Sequence, residues 1–191
     1  MPKQTITKEM VVDAAFQLAR EGGMEQVLVK NIAARLGCSV QPIYSYCQNM
    51  EGLRREVYAR VRAFVRERFT REECGPGSFQ AIGRACVRLA QEEPQLFKLF
   101  ILCPREGVAS LDDLCLSESD PRLEGAIAGE LGLSEEAARR LHINMIVYTV
   151  GLGAIFSTAT PGIPAEDIFS WQSGAYEAFL TQIKGENRHD T

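Results

Sequence analysis

The chain is poor in the residues on which most catalytic and metal chemistry depends: of 191 residues, only His142 and His189 are histidines and only Trp171 is a tryptophan. Neither HExxH nor a Walker loop occurs, and Gly151-Leu-Gly153 lacks the third glycine and the preceding strand of a dinucleotide site. The six cysteines lie 9, 27, 12, 17 and 12 residues apart. Without a CxxC pair they make no zinc or thioredoxin-like motif, and in a chain of this size most read as small buried hydrophobes. No catalytic residue, metal or cofactor is expected, and His142 reads as a core or interface histidine on an apolar helix. Long apolar runs are missing too. The longest, Ile143 to Phe156, falls short of the ~20 residues that span a bilayer, and Met1 to Ile6 is too polar for a signal peptide. A soluble, cytoplasmic chain with no membrane partner is expected. Sustained strand alternation, internal repeats and low-complexity segments are also missing.

What is present is 46% hydrophobic and 24% charged, enough for one or two domains with a buried core. The net charge of -4 conceals a gradient. Residues 1–70 carry 11 basic against 7 acidic side chains, giving +4, whereas residues 71–191 carry 10 against 18, giving -8. A modestly basic first third suits a small part that faces a polyanion, although a solvated helix face such as Arg54 to Arg68 would produce the same excess.

Helical signals fill the chain. Thr7 caps a helix from Lys8 to Glu21, with Glu9 in its first turn, and Gly22 and Gly23 end it. A short helix from about Lys30 to Leu36 stops at Gly37, which tolerates the left-handed conformation of a sharp turn. Ser39 is placed to cap a third helix, about Val40 to Tyr46, and Pro42 then falls in the first turn, where its missing N–H has no partner to lose. Asn49 caps a long fourth helix to about Arg71. Further helices are expected at about Phe79 to Glu92, Pro94 to Cys103, Leu123 to Leu131, Ser134 to Thr158 and Pro164 to Ile183, making an all-α chain of about nine helices.

The informative stretch is Lys30 to Leu53. A helix-turn-helix needs a small residue where two helices cross, a turn residue tolerant of positive φ, and buried aliphatics that hold the angle. Ala33 supplies the first, Gly37 the second, and Ile32, Val40 and Ile43 the third. With a helix before the pair, a tyrosine near the end of its second member and an Asn-capped long helix after it, the segment from about Thr7 to Val57 resembles the amino-terminal domain of the TetR family of transcriptional regulators. Two long helices near the carboxy terminus resemble, in layout, the pair that dimerises in that family. The chain departs from the family pattern at Leu28, where a Thr or Ser usually caps, at Cys47, where an aromatic is usual, and at Met50, where a Lys usually touches phosphate.

The resemblance implies a helix-turn-helix DNA-binding domain over residues 1–52 and a larger effector-binding and dimerisation domain over 53–191. It implies a homodimer that binds a near-palindromic double-stranded DNA operator, as a repressor more readily than an activator, and that an unidentified small molecule releases. With the third helix entering the major groove, Ser39, Val40, Gln41 and Ser45 are placed to reach base edges, Gln41 as the adenine reader, while Pro42 and Val40 suit a thymine methyl. Tyr44 takes the phosphate-contacting position, with Tyr46, Lys30 and the helix start at Asn49 beside it, and Arg54 or Arg55 partly replaces the missing Lys. Ile143, Ile146, Val147, Val150, Ala154, Ile155, Phe169, Ala175, Tyr176 and Phe179 offer dimer or core surface, with Gly151 and Gly153 permitting close approach. Effector-pocket candidates are Phe64, Phe97, Phe100, Cys103, Met145 and Tyr148, whose aromatic stripe equally suits plain core. Two alternatives stay open: a thiol sensor on the same scaffold, using Cys103 with Cys115 or Cys38 with Cys47, and a helical ligand-binding protein that has lost DNA binding.

Overall fold

The computed structural model describes residues 6–46, 49–70, 78–102, 107–111, 113, 122–159 and 162–186. Among them are nine α-helices and no strand. The first, α1 (Lys8–Gly22), begins where Thr7 Oγ1 accepts from the Met10 N–H at 3.2 Å and ends at Gly23, whose φ of 86° turns the chain and whose N–H donates to the Ala19 carbonyl. After a single 3-10 turn come α2 (Val29–Leu36), α3 (Gln41–Tyr46) and α4 (Met50–Val65). Asn49 Oδ1 caps α4 by accepting from the Gly52 N–H at 2.7 Å. The expected fourth helix to Arg71 is instead α-helical only to Val65, after which Arg66–Thr70 winds as a π-helical turn. Since α4 crosses the expected domain boundary at residue 52, the two parts share one helix.

The remainder is α5 (Ser78–Glu92), α6 (Pro94–Ile101), α7 (Arg122–Leu131), α8 (Glu135–Ala159) and α9 (Ala165–Glu186). Packing follows the apolar stripes. Leu53, Val57, Val61 and Val65 of α4 meet Val11, Ala15 and Ala19 of α1 in a cluster that continues without a break into Leu89, Leu96, Phe97, Phe156 and Ile168. A second cluster joins Ile127, Leu141, Met145, Tyr176 and Ile183. Thus α6 lies between the amino-terminal helices and α8, while α5 packs along α8 and α8 along α9. Counted with its flanks, α8 is long and apolar enough to cross a membrane, unlike the shorter run read from the sequence, and 39% of its apolar window is buried inside the fold.

Candidate nucleic-acid interface

The turn between α2 and α3 is built from backbone outward. Gly37, at φ 63° and ψ 32°, donates to the Ala34 carbonyl at 3.2 Å, and the Cys38 N–H reaches back to the Ala33 carbonyl at 3.0 Å. This pair of bonds is the Schellman pattern, which satisfies the last carbonyls of α2 and redirects the chain into α3. Cys38 packs against the core as the turn's apolar contact. At the other end of α2, Leu28 takes the cap position without a side-chain bond, and the Asn31 amide instead donates to the Gln26 carbonyl at 3.0 Å.

One buried side chain anchors α3. Ile43 is fully buried and Pro42 half-buried, while Ser39, Val40, Gln41, Tyr44, Ser45 and Tyr46 are all exposed, Tyr44 at 60%. Four outward-facing side chains on a six-residue helix, with two more just before it, leave it with little to do but present them. The helix starts one residue later than a Ser39 cap predicts, because the Val40 carbonyl accepts the first bonds, from Ile43 and Tyr44. Pro42 stays in the first turn. Ser45 Oγ donates to the Gln41 carbonyl at 3.1 Å, so its hydroxyl offers a base edge only its acceptor side. Asn49 is exposed, but its side-chain oxygen is committed to capping α4.

The cations around this face divide into two sets. Lys8 pairs with Glu56, Arg35 with Glu21, and Arg60 with Asp13, while Arg60 and Arg68 also lie over the rings of Phe16 and Phe69. Lys30, Arg54 and Arg55 are exposed and have no acidic partner among the described residues. Among the described residues, cations without an acidic partner therefore lie at the start of α2 and along α4, where Arg62 is exposed as well. Met50, where a phosphate-binding lysine was expected by resemblance, turns its side chain onto the core. Cys47, Cys103 and Cys115 lie outside the described residues.

The effector candidates do not line one cavity. Phe64 tilts against Phe16 at 5.5 Å, Phe97 is wholly buried, and Phe100 is half-buried beside them; Met145 belongs to the second cluster. Tyr148 donates to the Trp171 carbonyl at 3.5 Å and stands edge-on to Phe179. A cleft of about 70 Å³ lies elsewhere, lined by Phe79, Gln80, Ile127, Glu130, Leu131 and Tyr176. Small-molecule sites usually occupy ~300 to 1,000 Å³, so this cleft would have to open to admit one. Burial and the nearby charge of Glu130 push the Tyr176 phenol up, which keeps it protonated. Nearby, burial holds His142 below the ordinary imidazole range, and Phe79 meets its ring edge-on.

On α8, Val147 and Ile155 are 53% and 54% exposed with Gly151 between them on the same face, and Trp171 on α9 is 48% exposed. Ile143, Ile146, Val150, Ala154, Phe169, Ala175 and Phe179 are half-buried. Tyr176 and Gly153, also offered by the sequence as interface residues, point inward. A Cβ on Gly153 would stand 2.4 Å from Phe97 Cζ, so its close approach is to α6 of its own chain.

Comparison with known proteins adds two findings. Residues 11–57 match the model of a family described as bacterial regulatory proteins, tetR family. An HTH-type transcriptional repressor, DrrR1 of Streptomyces coeruleorubidus, is 27% identical over 150 residues, covering 72% of this chain and 54% of that protein. The chain spans about half the length of the curated relative it matches.

Proposed function

We propose that this chain, whose residues 11–57 match the tetR family model, is a DNA-binding transcriptional regulator that acts as a repressor, binds a near-palindromic operator as a homodimer and is released by a small molecule. The observation that carries the reading is α3, which buries Ile43 and turns Gln41, Tyr44 and Tyr46 to solvent, with Val40 exposed just before it and Lys30, Arg54 and Arg55 exposed without an acidic partner among the described residues. Phosphate contacts from Lys30, Tyr44 and the two arginines set position, while Gln41, with Ser39, Val40, Pro42 and Ser45, reads bases. Asn49 contributes by fixing the start of α4, whose N–H groups point toward the backbone of the duplex.

One module reads too few bases to be selective. Two, related by a two-fold axis through the α8–α9 ridge of Val147, Gly151, Ile155 and Trp171, place their reading helices about 34 to 36 Å apart or somewhat more. The effector acts by favouring a conformation that misplaces these helices, since a ligand with equal affinity for both states shifts nothing. Repression rather than activation follows the printed name of the Streptomyces relative, and a bacterial operator places the protein in the cytoplasm.

The test is selection of bound fragments from random duplex DNA. An enriched inverted repeat, with affinity falling steeply as salt rises, is the expected outcome. Weak binding insensitive to salt, with no enriched sequence, overturns it.

A further inference from the structure

Arg20 and Glu93 are 73 positions apart and meet through two parallel hydrogen bonds, Nε to Oε2 at 2.8 Å and Nη2 to Oε1. The glutamate side chain is 8% exposed, the most deeply buried member of any ion pair among the described residues. Glu93 is also the whole of the joint between α5 and α6. Its N–H closes α5 on the Leu89 carbonyl and its carbonyl opens α6 by accepting from Phe97, both at 2.9 Å. Its side chain does not cap the helix it begins; it crosses to α1.

The same guanidinium lies 5.2 Å from the ring centroid of Phe64, so one side chain ties α1, α4 and the α5–α6 joint together. On its other flank α6 is keyed to α8 through Phe97 and Gly153. A buried ion pair gives little net stability, because desolvation offsets the attraction, but a planar two-bond fork constrains an angle that a lysine's single ammonium does not. We infer that the Arg20–Glu93 fork is a positioning device: it sets the angle of the reading domain against the dimerising helices and thereby selects the spacing between half-sites. The inference rests on the dimeric DNA-binding reading above.

Geometry gives the tolerance. From Met50, near the reading helix, to Val65, near the fork, α4 has 16 residues and a length of about 24 Å. A tilt of about 10° over that lever moves α3 by roughly 4 Å, close to the rise of one base pair.

The full chain is first used to select its half-site from random DNA, and spacers of varied length are then placed between two copies of it. Arg20→Lys keeps the charge and loses the fork; Arg20→Met combined with Glu93→Met removes both charges together. Both variants are expected to keep the half-site consensus, to accept spacings one or two base pairs longer and shorter than the wild type does, and to bind the preferred spacing about tenfold more weakly. A spacing profile as narrow as the wild type's in folded Arg20→Lys overturns the inference, as does a wild type with no spacing preference. Should the methionine pair fail to fold, Arg20→Lys decides alone, since it leaves the carboxylate paired. A wild-type chain that selects no duplex at all overturns the DNA-binding reading itself, a failure distinct from the first two because there the wild type binds.

Discussion

Gly37 has a φ of 63° and nothing within 4 Å of where a Cβ would stand, so a substitution there tests backbone conformation with no clash to confuse it. Gly37→Ala is expected to lower stability by about 1 to 2 kcal/mol, read from the urea midpoint at an unchanged slope. Gly37→Asn should cost less, because its side chain tolerates the left-handed region. At Gln41 the substitution addresses recognition instead. Gln41→Ala leaves the fold intact, since the side chain is exposed, and relaxes preference at one base pair per half-site, at a cost of about 1 to 3 kcal/mol per contact. Equal losses on every sequence would assign Gln41 to the phosphates. Tyr44→Phe removes only a hydroxyl and should weaken binding uniformly with the consensus unchanged, measured by competition between selected and scrambled duplexes. Residues of this kind were readable in the sequence because their constraint is local: a glycine after an amphipathic run, a Thr or Asn before one. Met50 was not. Whether it faces phosphate or core depends on how α4 rolls against α1, and the chain's own spacing does not encode that.

The helices as elements were nearly all legible, because caps, glycines and prolines mark their ends wherever solvent and backbone compete. The start of α3 slipped by one residue because Val40, with no capping side chain, still offers its carbonyl to the first turn. What the pattern could not show is which elements meet. The Arg20–Glu93 fork has no local signature, and the residues chosen for a pocket divide, with Phe64, Phe97 and Phe100 in or against the first apolar cluster and Met145 in the second, since helical spacing is the same for a core face and for a ligand wall. The meeting of α5 and α8 has a consequence for pH. Burial holds His142 neutral in the fold, and the nearby Glu124 only partly opposes this. The unfolded chain takes up a proton as pH falls through about 6.5, whereas the folded chain resists until lower pH. Stability from this group is therefore complete above about pH 6.5 and declines below it. Urea midpoints should fall between pH 7.5 and 5.5, and His142→Gln should flatten that slope. Asp113 and Glu186 are held below the ordinary carboxylate range by hydrogen bonds, so their titration lies beneath this window.

Across the whole molecule, the charge gradient and the exposed apolar ridge lie in different parts of the chain, and each makes sense only with a partner. Among the described residues, Lys30, Arg54 and Arg55 have no acidic partner, while Val147, Gly151, Ile155 and Trp171 leave apolar surface on α8 and α9. A lone subunit gains nothing from either. The ridge offers a separation of roles, because a charge placed on it is solvated in the monomer and would be buried in the proposed dimer. Ile155→Glu should leave helicity and the urea midpoint of the isolated subunit unchanged, since the side chain is already half in water. In a two-fold interface the same residue would meet its own copy or the partner's apolar face, and an unpaired buried carboxylate costs several kcal/mol. Sedimentation should therefore show a folded monomer. Binding to a single half-site should survive at the low affinity of one module, and binding to the full inverted repeat should drop to that same level. If Ile155→Glu remains dimeric and binds the full repeat as the wild type does, the two reading heads are joined through some other face, and the α8–α9 ridge has to be explained by a different partner.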